Sequence, residues 1–227
     1  MKYNAVIFDL FGTLVDNYPL SESNDVLRQM ASVLSVPSDD FITLWHATFD
    51  ERMKGVFNSY QANIKHISQQ LGVHVQDNQI EFVASMRFDM TKREVTTPRE
   101  GAIEVLSYLK SNGYKTGLIS NCSVETTMIW KETPLAPLID VAVFSCLVGA
   151  MKPDTHIYHV AVEKLAVNPK ECLYIADGIG QELASASKLG MHALLIRMPD
   201  EDDYDQYRGE WDSPVITSLK EVLTLLE

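Results

Sequence analysis

Two rhythms of apolar and polar residues run along this chain, and the changes between them divide it. Residues 4 to 9 hold an unbroken apolar run, Val6-Ile7-Phe8, that closes on Asp9 and is followed at once by Leu10-Phe11-Gly12-Thr13. So short a run, stopped by a carboxylate and a turn, predicts a strand buried on both faces. From about 21 to 95 the spacing is helical, with almost no strand signal. Ser38 is placed to cap a helix carrying Phe41, Leu44, Trp45 and Thr48, with Gly55 as its stop. Further helices are predicted near 59–71 and 77–91, separated by Leu71-Gly72-Val73, which makes an insert of about four helices.

After Pro98 helix and strand alternate, the signature of βαβ units around a parallel sheet. The pattern predicts helices near 99–112, 124–131, 155–166 and 180–189, and strands near 115–120, 140–144, 171–176 and 192–197. A single α/β core is thus interrupted after its first strand by a helical insert. The tail carries an acidic run, Asp200 to Asp203 with Asp205, which reads as a solvated loop because no ligand spacing accompanies it. A last helix is predicted over about 217–226.

Composition changes this picture little. An apolar fraction of 46 % in 227 residues fits a globular core with room for a small second domain. No stretch reaches the roughly 20 apolar residues of a membrane span, and residues 1–15 lack the plan of a signal peptide, so a cytoplasmic protein is expected. The formal charge of −12 disfavours nucleic acid and anionic membranes as partners. Cys122, Cys146 and Cys172 show no metal spacing and are odd in number, so reduced thiols are expected.

Residues just past the ends of neighbouring parallel strands meet in one crevice, however far apart they lie in sequence. Four predicted strand ends here carry Asp9, Ser120-Asn121, Lys152 and Asp177. Singly these read as a turn cap, a helix cap, a solvated loop lysine and a turn. Together they make a nucleophile, hydrogen-bond donors, a cation and a metal ligand. A carboxylate can attack phosphorus to form an acyl phosphate. Charge opposes that attack, so Mg²⁺ is called for, held by Asp9, a backbone carbonyl near Phe11 and Asp177. Ser120 and Asn121 would donate to phosphoryl oxygens, through the Asn121 backbone or side chain, while Lys152 balances the growing charge.

With these motifs the chain resembles the haloacid dehalogenase superfamily of hydrolases, in its group with a helical cap after the first strand. Asp9-Leu10-Phe11-Gly12-Thr13 matches the nucleophile motif, Ile119-Ser120-Asn121 the second and Lys152-Pro153-Asp154 the third. Asp177-Gly178-Ile179-Gly180-Gln181-Glu182, continuing to Ala186 and Gly190-Met191, matches the fourth. The resemblance implies a Rossmann-like, doubly wound α/β core formed by residues 1–15 and 96–227, with an all-α cap domain over 16–95. It implies an Mg²⁺-dependent phosphatase acting on a small phosphorylated molecule through an aspartyl intermediate at Asp9. Asp9 and Lys152 are then catalytic, and Ser120, Asn121 and Thr13 bind substrate or support the nucleophile. Asp9, the Phe11 carbonyl and Asp177 take the metal, with Glu182 holding a metal-bound water. Similar enzymes present specificity residues from the cap, and His46, Arg52, Lys54 and Tyr60 near Gly55 are the candidates, although exposed helix positions are their ordinary reading. Trp45, Phe49 and Phe57 suit internal packing and an interface equally, which leaves oligomeric state open.

One residue departs from the pattern. Phosphatases of this family carry a second Asp two places after the nucleophile, which protonates the leaving oxygen and then activates water; Phe11 does neither. Three readings follow: a phosphatase-type hydrolase whose acid lies elsewhere or is not needed, a metal-independent 2-haloacid dehalogenase, and a noncatalytic phospholigand-binding protein. Retention of Asp177 and Glu182 argues against the second, and the complete set of charged residues against the third.

Overall fold

The computed structural model describes residues 3–198, 204–208, 211–212 and 214–226. The first strand, β1 (Ala5–Phe8), is buried along its whole length, as its apolar run requires. Five helical segments make up the insert that follows: α1 (Leu20–Leu34), α2 (Ser38–Ala47), α3 (Phe49–Met53), α4 (Tyr60–Gln70) and α5 (Asp77–Thr96). Four helices were expected. The extra one arises because the stretch from Ser38 to Gly55 breaks at Thr48, where ψ turns to 13°. Ser38 is the first helical residue rather than its cap, since Pro37 fits the preceding position with a fixed φ of −60°. Gly55, at φ +72°, closes α3 as expected.

The remainder alternates as the sequence predicts. It runs through α6 (Ala102–Ser111), β2 (Lys115–Ser120), α7 (Val124–Ile129), β3 (Val141–Phe144), α8 (Ser145–Val148), α9 (Thr155–Leu165), β4 (Cys172–Ala176), α10 (Glu182–Lys188) and β5 (His192–Ile196). A two-residue strand, β6 (Val215–Ile216), then leads into α11 (Glu221–Thr224). The helix expected over 217–226 is therefore shorter, and β6 carries too few residues to show a period. Of the acidic run, Asp200 to Asp203 lie outside the described residues, and Asp205 opens a short 3₁₀ turn.

The strands form one parallel sheet in the order β3-β2-β1-β4-β5-β6. This is the doubly wound α/β plan, with β1 at the centre and the winding reversing between β1 and β4. Alternate residues of β1 enter two cores. Val6 and Phe8 pack with α6, while Ala5 and Ile7 pack with α9 and α10. A third apolar cluster, built from Leu27, Met30, Phe41, Trp45, Ile64 and Val83 among others, lies wholly within the helical insert. No helix among the described residues is long and apolar enough to cross a membrane.

Candidate active site

The reversal of winding sets the C-terminal ends of β1 and β4 side by side, and each delivers a carboxylate. Asp9 extends β1 by one residue, its amide bonded to Ile175 O of β4 at 2.9 Å, and Asp177 follows β4 directly. The chain beyond Asp9 coils tightly, with the amides of Leu14 and Val15 both donating to Leu10 O at 2.9 and 3.0 Å. Buried Arg99 pins this coil through Gly12 O at 2.8 Å and Asp16 Oδ1 at 2.6 Å. Only glycine fits at position 12. Its φ is +71°, and a Cβ there would lie 2.2 Å from Asp177 Oδ2.

Oxygens of Asp9, Asp177 and Glu182 lie within 4.8 Å of one another, and all three residues are buried. Lys152 reaches this group from the loop before α9. Its Nζ donates to Asp9 Oδ1, to Glu182 Oε2 at 2.5 Å and toward the Tyr174 hydroxyl at 3.5 Å. Burial alone would strip the lysine of its proton, but Asp9 and Glu182 outweigh it and hold the ammonium well above the usual lysine range. One ammonium donates to both partners but balances only one negative charge. Burial therefore dominates at Asp9 and pushes its carboxyl up to about 7 despite the ion pair. Burial likewise drives Asp177 well above the carboxylate range, with Glu182 and Asp9 adding repulsion.

Were all three carboxylates ionised, Lys152 would leave two negative charges unmatched, and Arg208 Nη2, 4.0 Å from Asp177 Oδ2, would offset part of the remainder. Hard oxygen donors with surplus negative charge suit a divalent cation such as Mg²⁺. Both oxygens of Glu182 are engaged: Oε1 accepts from Gly178 N at 3.1 Å, and Oε2 accepts from Tyr174 at 2.8 Å as well as from Lys152. Glu182, expected at a metal-bound water, lies beside Asp9 and Asp177 and also holds the lysine. Asp9 and Asp177 are engaged as well, Asp9 by Lys152 and Asp177 by Ile179 N and the Asn17 amide at 3.1 Å each, and all three carboxylates keep oxygens close enough together to share a cation.

Asn121 offers one of its two expected donors. Its side chain is spent on the Lys152 peptide, accepting from Lys152 N at 2.8 Å and donating to Lys152 O at 3.0 Å, so only its backbone amide suits a phosphoryl group. Ser120 Oγ, in contrast, is fully buried and has no hydrogen-bond partner among the described residues, as a group awaiting a ligand would be. Thr13 Oγ1 lies 3.5 Å from Asp9 Oδ2. Phe11 is half-buried against the core beside β1.

Among the insert candidates, His46 and Lys54 are exposed, as ordinary helix positions are, but Arg52 and Tyr60 are buried. Arg52 lies 4.2 Å from the Trp45 ring centroid and donates to Trp45 O, Thr48 and Asn63. Tyr60 meets the loop after β2, accepting from Ser123 Oγ at 3.1 Å, and its amide bonds to Glu125 of α7 at 2.5 Å. Trp45 packs inside the insert, Phe49 is exposed and Phe57 is half-buried.

Several site residues carried no sequence signal. Tyr174 looks like one more apolar strand residue until its hydroxyl is seen on Glu182. Asn17 and Arg208 reach Asp177 from 160 and 31 residues away, through the Asn17 amide on Oδ2 at 3.1 Å and the Arg208 Nε on the carbonyl at 2.9 Å. Helical or strand periodicity reports neither contact.

The model of the haloacid dehalogenase-like hydrolases matches residues 3–190, and the chain belongs to that family of hydrolases. Among its relatives, the glyceraldehyde 3-phosphate phosphatase of Pyrococcus furiosus is 23 % identical over all of this chain and 94 % of its own length. The Rhythmically expressed gene 2 protein of Drosophila melanogaster is 29 % identical over 55 % of this chain. This chain spans 51 % of the length of that protein and 10 % of mouse Acyl-CoA dehydrogenase family member 10, another relative. In fold it is similar to a HAD phosphatase from Thermococcus onnurineus, with a TM-score of 0.67, 21 % identity and 98 % and 97 % of the two chains covered. It is also similar to the L-2-haloacid dehalogenase of Xanthobacter autotrophicus, with a TM-score of 0.65, 16 % identity and 99 % and 98 % covered.

Proposed function

We propose that this hydrolase is a phosphatase that removes the phosphoryl group from a small metabolite bearing a good leaving group, an acyl phosphate above all. The observation that carries the reading is the packing of Asp9, Asp177 and Glu182 around Lys152. Names of relatives such as glyceraldehyde 3-phosphate phosphatase and hexitol phosphatase A point the same way.

Asp9 attacks phosphorus, forming an aspartyl phosphate, while Lys152 steers the carboxylate and compensates the charge that gathers on the phosphoryl oxygens. Ser120 Oγ and the Asn121 amide orient that group. Mg²⁺, held by Asp9, Asp177 and the Phe11 carbonyl, would supply Lewis-acid charge neutralisation when bound. Phe11 gives no proton to the departing oxygen, so the leaving group must depart as a stable anion. A carboxylate does this and an alkoxide does not. Residues 16–95 act as a cap whose closure excludes bulk water.

Phe11 also favours a second reading. Halide needs no acid to depart, so a metal-independent 2-haloacid dehalogenase remains the alternative, although that chemistry has no use for Asp177. The test is phosphate release from acyl phosphates and phosphomonoesters with and without Mg²⁺, beside halide release from a 2-haloacid. Mg²⁺-dependent phosphate release, lost in Asp9→Asn, is the expected result. Metal-independent halide release would replace the proposal with its alternative.

A further inference from the structure

Two arginines of the helical insert stand over one indole with no carboxylate to pair with. The guanidinium carbon of Arg52, from α3, lies 4.2 Å from the centroid of the Trp45 ring, and that of Arg87, from α5, lies 5.8 Å from it. The two are thus no farther apart than those distances together, and neither forms an ion pair among the described residues. Like charges gathered away from water are costly, and an anion between them removes the cost.

Their bonds leave that anion a place. Arg52 is buried, and its described hydrogen bonds all start from Nη1 and end on neutral acceptors, Trp45 O, Thr48 Oγ1 and Asn63 Oδ1. Arg87 directs Nη1 at Ser23 Oγ, 3.3 Å away, and at Met90 Sδ, 3.0 Å away, while its Nε is shut off from water with no hydrogen-bond partner. A buried donor left unpaired is unusual in a folded chain and calls for an explanation. The acids whose charge bears on the pair do not supply one. Glu51 is exposed, Glu125 gives Oε1 to the Tyr60 amide at 2.5 Å, and Glu94, pushed up to about 7 chiefly by burial, is only partly ionised near neutral pH. Burial, and after it Arg87, draws the Arg52 guanidinium down to about 10, as an uncompensated pair would.

Contacts tie this cluster to the loop that binds the phosphoryl group. The Trp45 and Tyr60 ring centroids are 5.9 Å apart, and the Tyr60 hydroxyl accepts from Ser123 Oγ at 3.1 Å. Ser123 stands three residues beyond Ser120, on the loop that leaves β2 through Asn121. Arg87 lies one turn before Thr91, whose Oγ1 is 2.8 Å from the same hydroxyl. Phe88, next to Arg87, packs against the same core cluster that supports Phe11.

We propose that Arg52 and Arg87 form a subsite for a second anionic group, a carboxylate or a phosphate at the far end of the substrate. The proposal rests on the phosphatase reading and narrows its substrate class: the acyl chain that departs from phosphorus carries a negative charge of its own. A guanidinium offers paired N–H groups that match either oxyanion, and the Trp45 face holds Arg52 in place to present them. An uncharged chain of the same length would leave both guanidiniums unpaired, which is how a site rejects a substrate that lacks the expected polar group.

The experiment measures binding to the whole chain by titration calorimetry at saturating Mg²⁺, with stable phosphonates in place of labile acyl phosphates. 3-Phosphonopropionate and 5-phosphonopentanoate are compared with propylphosphonate and pentylphosphonate, which match them in length and lack the distal charge; 1,3-propanebisphosphonate tests a distal phosphate. A distal anion is expected to tighten binding by about tenfold or more, the effect of a hydrogen bond to a charged group, and the larger gain identifies carboxylate or phosphate as the natural group. Arg87→Gln and Arg52→Gln should each shrink that preference to about twofold or less. If Arg52→Gln does not fold, because its bonds to Trp45, Thr48 and Asn63 are lost, Arg87→Gln decides the matter. Equal affinity for charged and uncharged chains would overturn the subsite and leave the phosphatase reading standing, and a preference that survives in Arg87→Gln would overturn it too. Failure of every phosphonate to bind would refute the phosphatase reading itself, and the subsite with it.

Discussion

Gly12→Ala separates the placement of Asp177 from the general stability of the fold. A Cβ at this position would lie 2.2 Å from Asp177 Oδ2 and 2.4 Å from Asn17 Nδ2. Ordinary contact begins near 3.4 Å, so both side chains must retreat by about 1 Å. A displacement of that size at a reacting centre costs about 10²-fold in rate. The backbone cost is separate. At φ +71° alanine adds about 1–2 kcal/mol of strain, which lowers the melting temperature of a chain this long by roughly 2–8 °C. Gly72→Ala supplies the control, because φ there is +69° and nothing lies within 4 Å of the added Cβ. Calorimetric melting and initial rates of phosphate release at saturating Mg²⁺ should show a similar loss of stability in both variants, and a rate loss only in Gly12→Ala. A Gly12→Ala enzyme that melts lower yet turns over at the original rate would refute the role given to Asp177.

Three further outcomes are expected. Lys152→Met leaves Asp9 and Glu182 buried without their cation, so urea unfolding at neutral pH should report a loss of about 3–5 kcal/mol; a loss below about 1 kcal/mol would show that the carboxyls take up protons instead. Glu94 is pushed up to about 7, chiefly by burial, with Arg87 and a backbone hydrogen bond to Tyr18 acting the other way. The native chain thus keeps a proton that the unfolded chain releases, and stability falls as pH rises from about 4.5 to 7 and stays lower above that. Glu94→Gln should match the parent near pH ~4.5 and gain up to about 3 kcal/mol above pH ~7, whereas an equal difference at both ends of that window would contradict the burial argument. Phe11→Asp should raise hydrolysis of phosphomonoesters by about 10²–10⁴-fold, measured as phosphate release, and no gain would mean that the machinery around Asp9 is incomplete.

Buried strands and long helices were legible because their periods are strong. The apolar run before Asp9, the alternation after Pro98 and the four polar strand ends led to the sheet and to the cluster of Asp9, Lys152 and Asp177. What stayed hidden depends on tertiary neighbours. Arg52 and Tyr60 look like exposed helix residues until Trp45, Asn63 and Ser123 surround their polar ends. Glu182 sits at the spacing of a metal-site acid, but its bonds to Lys152, Tyr174 and Gly178 N depend on neighbours that the spacing does not report. Asn121 sits where a phosphoryl donor belongs, but a neighbouring loop peptide claims its side chain. Val215–Ile216 is too short a strand to leave a pattern, and it forms because β5 offers an open edge.

The central claim is that Asp9 accepts a phosphoryl group. It is tested most directly by rapidly quenching a reaction with an acyl phosphate and Mg²⁺ and measuring the mass of the peptide that contains Asp9. The account predicts one added phosphoryl group on that peptide, absent without Mg²⁺ and absent in Asp9→Asn. An unmodified Asp9 peptide during turnover, or a carbon ester formed there from a 2-haloacid without metal, would contradict it.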